Sequence, residues 1–173
     1  MGSLAFWKAV VADRSNFLER IFGVLEEQDF RFCVIGGVGI NAYVAPVVTE
    51  DLDIVLAVED LPRAMDVLKR EFRVEEFEHS VNVYDPGSKL QVQIQKDPVL
   101  SEILGRAEVH EVMDFRMPVA APADLVRLKV AAASDPTRRP SKRQKDLADI
   151  ARLIEAYPET RELLTDEISE RLF

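Results

Sequence analysis

The sequence predicts an α+β fold, a mixed β-sheet with flanking helices followed by a helical tail. Three observations carry that expectation. Short aromatic and β-branched runs punctuated by glycine, proline and turn residues occupy the first part of the chain, as in RFCVIGG and DLDIVLAV. From Pro122 onward the apolar residues recur at helical spacing. Finally, 173 residues suit one core, and no repeat, low-complexity tract or long linker divides them. The expected organisation is one domain over 1–173, with sheet and helices over about 1–120 and a helical tail over about 121–173.

Element by element, Phe17, Leu18, Ile21, Phe22 and Leu25 mark a first helix, with Asn16 and Glu19 placed as a capping box. RFCVIGG is a buried strand ended by glycines, and VGINAYVA is a short helix stopped by Pro46. DLDIVLAV is the strongest strand: Leu52, Ile54 and Leu56 share one face, Asp51, Asp53 and Val55 the other. Asp60 is placed to cap the next helix, which tolerates Pro62 in its first turn and has Ala64, Met65, Val67 and Leu68 as its apolar side. FRVEEFE is a strand, and VNVY, DPGS and LQVQIQ form a hairpin. A short helix around Val99–Arg106 and a strand near Glu108–Val112 follow. The tail then holds helices over roughly Ala123–Ala133 and Ser141–Ala156, and a last amphipathic turn or two towards Leu172.

Composition narrows the function. Apolar residues make up 47% and charged residues 31%, a globular balance. Lys and Arg total 22 against 31 Asp and Glu, a net −9, which excludes a generally basic nucleic-acid coat but not a local basic patch. The single Cys33 excludes an internal disulfide and sits among Phe32, Val34 and Ile35 as a buried, inert thiol. No apolar run approaches the roughly 18 residues of a membrane span, and MGSLAFWKAVVADR lacks the features of a signal peptide. The expectation is a soluble cytoplasmic protein with no membrane partner.

The chemistry concentrates in VIGGVGINAYVAPVVTEDLDIVLAV. Gly36 and Gly37 fall where a strand turns into a helix, so backbone can approach a phosphate and free N–H groups face it. Asp51 and Asp53 are two apart on one strand and point the same way, about 7 Å apart at the backbone. Such carboxylates repel unless a cation compensates, and a Mg²⁺ pair, typically about 3.5–4 Å apart, would align a nucleoside triphosphate for in-line displacement. Each feature alone has an ordinary structural explanation; the two together, in strand–helix–strand order, favour a site.

That arrangement resembles the DNA polymerase β-like nucleotidyltransferases, and more closely their minimal bacterial and abortive-infection (AbiEii-like) toxin members. Thr49 completes a Thr-x-Asp-x-Asp pattern; PADLVRLKVAAA matches a helix start that places a lysine at Lys129; RQKDLADIARLIEA matches the Lys-Asp-x-x-Asp-Ile helix that follows it. The resemblance implies a nucleotidyltransferase-like sheet with a helical C-terminal bundle, and Mg²⁺ on Asp51 and Asp53. It further implies triphosphate held by Gly36, Gly37 and Lys129, and transfer of a nucleoside monophosphate from an NTP to an RNA, protein or small-molecule hydroxyl. An antitoxin partner goes with the toxin type. Three positions depart from the pattern: Val38 stands where Ser or Gly is common, Val47 where a basic residue is common, and the strand expected to carry a third carboxylate reads LQVQIQ. At that place Gln91 or Gln93 offers an amide oxygen but neither charge nor a useful base. Asp85 and Asp97 lie in the turn and beyond the strand end, and Glu50 faces away. Two readings stay open: a transferase, or a catalytically impaired nucleotide- or partner-binding module of the same fold.

A second feature is local charge reversal. Arg127, Lys129, Arg138, Arg139, Lys142, Arg143 and Lys145 face only one acid, Asp135, across that stretch, which suits either a phosphate contact or a solvated connection. Lys145 and Asp149 are spaced as an i,i+4 pair. His79 and His110 lack zinc-type spacing, Ser80 and Ser101 lack a nucleophile elbow, and Trp7 is expected to pack.

Overall fold

A single β-sheet with two differently covered faces organises the chain. The structure is a computed structural model and describes residues 2–173. In chain order it runs α1 (Ser3–Val10), α2 (Phe17–Glu27), β1 (Phe32–Ile35), α3 (Gly36–Ile40), β2 (Asp51–Leu56), α4 (Leu61–Glu71), β3 (Arg73–Glu76), β4 (Ser80–Tyr84) and β5 (Gln91–Gln95). There follow α5 (Ser101–Leu104), β6 (Glu108–Val112), β7 (Phe115–Val119), α6 (Pro122–Ser134), α7 (Pro140–Ala156) and α8 (Asp166–Leu172). The strands lie in the order β3-β4-β5-β2-β1-β7-β6. β2 pairs antiparallel with β1 and parallel with β5, so the sheet is mixed, as the sequence predicts.

The alternation along each strand divides the core. On β2, Leu52, Ile54 and Leu56 pack with Val81, Val83, Val92 and Ile94 beneath α1, α2 and α4. On the opposite face Val55, with Cys33 and Ile35 of β1, packs under α6, α7 and α8 through Leu125, Val126, Ile150, Leu153 and Ile168. Cys33 is fully buried, and burial pushes its thiol up to about 12, in keeping with an inert side chain. Trp7 is 1% exposed and donates its indole N–H to the Thr49 carbonyl at 2.8 Å, so it packs and also ties α1 to the segment entering β2.

Several local expectations need correction. Asn16 does not cap α2: its backbone is left-handed (φ 54°), and its side-chain oxygen accepts from Lys8, which also bonds Glu19. Asp13 takes the capping role from three residues earlier, its two oxygens accepting from the N–H groups of Phe17 and Leu18. Asp60 likewise does not cap α4; it ends a 3-10 turn and accepts the N–H of Arg31. The helix expected over VGINAYVA is only α3, beginning at the glycines themselves, with turns after Ile40. β7 is a strand that sequence pattern does not announce, because Pro118 removes a ladder donor. It is tolerated since β7 meets β1 only at Val119 and Ala120. Met113 and Asp114 both have positive φ, as a type I′ hairpin turn between β6 and β7 requires.

Replacing Asp13 by Ala is expected to lower the unfolding free energy by about 1–2 kcal/mol, read by urea denaturation. An unchanged midpoint would remove Asp13 from the capping role.

Candidate active site

Asp53 sits where the two kinds of sheet face meet. Val55, two residues on, is buried under the helical tail, whereas Asp51 and Asp53 are half-buried on the same face, beyond the cover. β1 ends opposite: Ile35 pairs with Asp53, and Gly36 follows with φ 65°. A Cβ on Gly36 would lie 2.3 Å from Asp53 Oδ2, so this residue must be glycine both for its backbone and for the carboxylate beside it. Gly37 differs. A Cβ there meets Thr49 at an ordinary 3.7 Å, and Gly37 is not among the residues that line the pocket around Asp53. Thr49 is buried, and its hydroxyl accepts the N–H of Asp51 at 3.2 Å, fixing the start of β2.

β5 lies next to β2 in parallel register, with Gln91 opposite Asp51 and Gln93 opposite Asp53. Both amides therefore occupy the rank in which a third carboxylate was sought. Asp85 does not replace it, since it is held by Arg20 at 2.7 Å in the β4–β5 turn; Asp97 accepts the N–H of Val99 past the end of β5. Among the described residues no group of three His, Cys, Asp or Glu side chains is placed to hold a metal ion.

The tail supplies the opposing charge. Lys129 of α6, 13% exposed, is held by Asp146 at 2.8 Å and Asp149 at 2.9 Å, both on α7. Arg138, from the α6–α7 connection, reaches Asp146 at 2.6 Å. Burial works against the charge on Lys129, but Asp149 and Asp146 outweigh it and hold its ammonium above the ordinary lysine value. Lys129 is thus not a free cation awaiting a phosphate; it is a paired one that lines the same pocket as Gly36 and Asp53. Lys142 lies 3.6 Å from Asp51. Lys145 makes no ion pair among the described residues, because Asp149 is taken by Lys129 and Arg152. Of the remaining basic run, Arg127 pairs with Asp124. Neither histidine belongs here: His79 is exposed and His110 packs edge-on against Tyr43.

Two cavities open on either side of Asp53, Gln93 and Arg138. The inner one, about 260 Å³, is bounded by Gly36, Lys129 and Asp146 and by apolar Leu100, Leu125 and Leu128. The outer one, about 190 Å³, is bounded by Asp51, Asn82, Gln91 and Lys142. Asn82 is a polar member that the sequence did not single out, whereas Arg138 and Lys142 belong to the basic run read there as a phosphate contact or a solvated connection. Asn82 follows from strand alternation once β4 is paired with β5. Burial, then the Asp51 charge, push the Asp53 carboxyl up to about 6, although Lys129, Arg138 and Lys142 pull the other way. A carboxylate strained in this way is one that a bound cation relieves.

A family model described as Nucleotidyl transferase AbiEii toxin, Type IV TA system, matches residues 16–172. The chain belongs to the AbiEii family. Solved structures agree on the fold of this AbiEii-family chain. It is similar to ANT(2″)-Ia in complex with adenylyl-2″-tobramycin, at 13% identity and TM-score 0.66 over 91% of this chain and 98% of that one. It is similar to the lincosamide antibiotic adenylyltransferase LnuA, lincomycin-bound, at 10% identity and TM-score 0.57 over 80% and 97%. A third likeness is to an antigenic nucleotidyltransferase-like protein from Paracoccidioides brasiliensis, at 16% identity and TM-score 0.55 over 86% and 75%. No curated protein matches the sequence. Family and fold together support nucleotidyl transfer as the class of chemistry. No helix is long and apolar enough to cross a membrane among the described residues.

Two outcomes test this geometry. Gly36→Ala is expected to cost about 1–3 kcal/mol, while Gly37→Ala stays within about 0.5 kcal/mol, both by chemical denaturation. In metal-free protein, Asp53→Asn is expected to raise stability above pH 6. The folded pKa exceeds the ordinary 3.8, so ionised Asp53 disfavours the fold there. The gain is at most about 3 kcal/mol, fading as pH falls towards 4; a gain that grows towards acid would contradict the assignment.

Proposed function

We propose that this chain transfers a nucleoside monophosphate from an NTP to an acceptor hydroxyl, with a divalent cation, Mg²⁺ by preference, held by Asp51 and Asp53. The supporting observation is the pairing of Asp51 and Asp53 with Gly36 and the Lys129–Arg138 cations around connected cavities. The donor set suits one cation better than two: two carboxylates in an i,i+2 pair, with the amides of Gln91 and Gln93 opposite. When bound, the cation neutralises triphosphate oxygens and so lowers the cost of charge developing at the α-phosphorus.

The remaining roles fall to the chain itself. Gly36 leaves room for phosphate oxygens beside Asp53, Arg138, which lines both cavities, faces the leaving pyrophosphate, and Lys142 stands beside Asp51. Lys129, fixed by Asp146 and Asp149, sets the positive wall of the inner cavity. The acceptor oxygen forms the new bond to the α-phosphorus as the bond to the β-phosphate bridging oxygen breaks. Neither Gln91 nor Gln93 takes up the acceptor's proton, which passes to solvent at the open cavity as pyrophosphate leaves, so catalysis rests on positioning and charge rather than on a base from β5. As a member of this family the chain is proposed to serve as the toxin component of a toxin–antitoxin pair in the cytoplasm. The neighbours that adenylylate antibiotics extend the acceptor range to small molecules as well as RNA and protein. The paired glutamines favour one second reading, a nucleotide-binding module without turnover.

Calorimetric titration of the four NTPs with and without Mg²⁺ is the test. Mg²⁺-dependent binding by the wild type is expected to fall at least about tenfold in Asp51→Asn/Asp53→Asn, an effect of about 1.4 kcal/mol. Gln93→Asp, which restores a third carboxylate, is expected to tighten Mg²⁺ and raise transfer of α-labelled NTP. Nucleotide binding without any transfer in either protein favours the module; no nucleotide binding sinks both readings.

A further inference from the structure

Asp51 begins β2 beyond the end of its neighbour. β1 pairs with β2 only as far as Ile35 opposite Asp53, and at Gly36 the chain turns into α3. On the other edge Gln91 donates its N–H to the Glu50 carbonyl at 2.9 Å. The N–H of Asp51, across the same planar peptide unit, therefore points to the side that β1 has left. Its acceptor there is the Thr49 hydroxyl, at 3.2 Å. On that side the carboxylate proposed to hold the cation takes its backbone direction from Thr49, not from a strand.

Thr49 is in turn placed from outside the sheet. Residues 46–49 have no regular secondary structure, and side chains of other elements hold them. Asn41, at the end of α3, donates to the Val47 carbonyl and accepts the Val47 N–H, both at 2.9 Å. Trp7 of α1 donates its indole N–H to the Thr49 carbonyl at 2.8 Å, and both residues are buried, so the bond is shielded from competing water. Trp7 is also the buried side chain of α1, a helix of eight residues that has little stability of its own. One contact thus anchors both α1 and residue 49. α1 lies outside residues 16–172, the stretch that the family model matches.

Resting on the transferase reading, we infer that α1 braces the cation site, with Trp7 as the positioning residue whose bond to Thr49 fixes the hydroxyl that orients Asp51. Trp7 lines neither cavity beside Asp53, so it acts on the site only through Thr49. Without the indole donor the buried Thr49 carbonyl lacks its partner, and the peptide gains by turning towards solvent. That turn carries the Thr49 hydroxyl off the Asp51 N–H. Part of the free energy of cation binding then goes into restoring the direction of Asp51, and the hold on the cation weakens. The coupling runs both ways: a cation on Asp51 also favours docked α1.

The chain has one tryptophan, so the indole N–H signal of the ¹⁵N-labelled full chain reports this bond alone. MgCl₂ is titrated by itself and then with ATP, CTP, GTP and UTP in turn. Midpoints are read from the Asp51 and Asp53 backbone amides, at a temperature where each protein is fully folded by circular dichroism. The indole signal is expected to move with Mg²⁺ in the wild type and to stay still in Asp51→Asn/Asp53→Asn. Trp7→Phe, which keeps a ring but removes the donor, is expected to raise the Mg²⁺ midpoint about fivefold, the scale of one hydrogen bond. Thr49→Val is expected to raise it equally and carries the test where Trp7→Phe does not fold. Val11→Ala loosens the same core but keeps the bond, and is expected to lower stability with the midpoint unchanged. A still indole signal while the Asp51 and Asp53 amides respond overturns the inference. So does an unchanged midpoint in Trp7→Phe or Thr49→Val, or an equal rise in Val11→Ala. Asp51 and Asp53 amides silent to Mg²⁺ with every NTP strike the transferase reading itself, and the inference with it.

Discussion

Lys129, clasped by Asp146 and Asp149 with Arg138 closing on Asp146, is the interaction on which the candidate site depends. Asp146 is 1% exposed, so these charges are out of water, where each ion costs several kcal/mol to desolvate and is tolerated only with its partners in place. The cluster therefore contributes geometry more than stability. It locks α6 to α7 in one register, and it fixes the α6–α7 connection through Arg138. Arg152, one turn further along α7, donates to the Ala45 carbonyl and so joins the same helix to the segment that leads into β2. The positive wall and the carboxylate pair are thus mounted on one frame.

A second constraint is set by the sheet. Along β2 one face carries Asp51, Asp53 and then Val55, so a single strand passes from open to covered within five residues. The helical tail ends its cover there because an apolar helix face cannot lie on two carboxylates, and the carboxylates cannot move inward without losing hydration. The edge of that cover is where a polar ligand finds both a low-dielectric wall and access from solvent. The inner cavity, with leucines on one side and Lys129 on the other, has that character.

Most of this was legible in the residues for identifiable reasons. β2 was readable because period-2 alternation and its acidic beginning agree, and α6 and α7 because their apolar residues recur at helical spacing over three or more turns. Gly36 and Asp53 were readable as partners only through their order, and the structure supplies the 2.3 Å reason. What failed were assignments that hang on one side chain. Asn16 fits a cap pattern, but its left-handed backbone puts its oxygen elsewhere, while Asp13 reaches the same N–H groups by a turn no pattern encodes. Lys145 and Asp149 satisfy i,i+4 spacing, yet a buried lysine from another helix claims the carboxylate. Sequence spacing shows which groups are neighbours on one element. It does not show what the next element brings.

The glutamines on β5 are best understood by counting charge. Lys129, Arg138 and Arg152 share Asp146 and Asp149, and Lys142 stands beside Asp51. Burial first and the Asp51 charge second hold the Asp53 carboxyl above its ordinary value, against the pull of Lys129, Arg138 and Lys142. A third carboxylate at Gln93 would add a further negative charge beside Asp53, whose carboxyl burial already holds up; an amide there adds none. The same amide donates to the Ser80 hydroxyl on β4, so an uncharged side chain at Gln93 both spares Asp53 a neighbouring charge and ties β5 to the next strand.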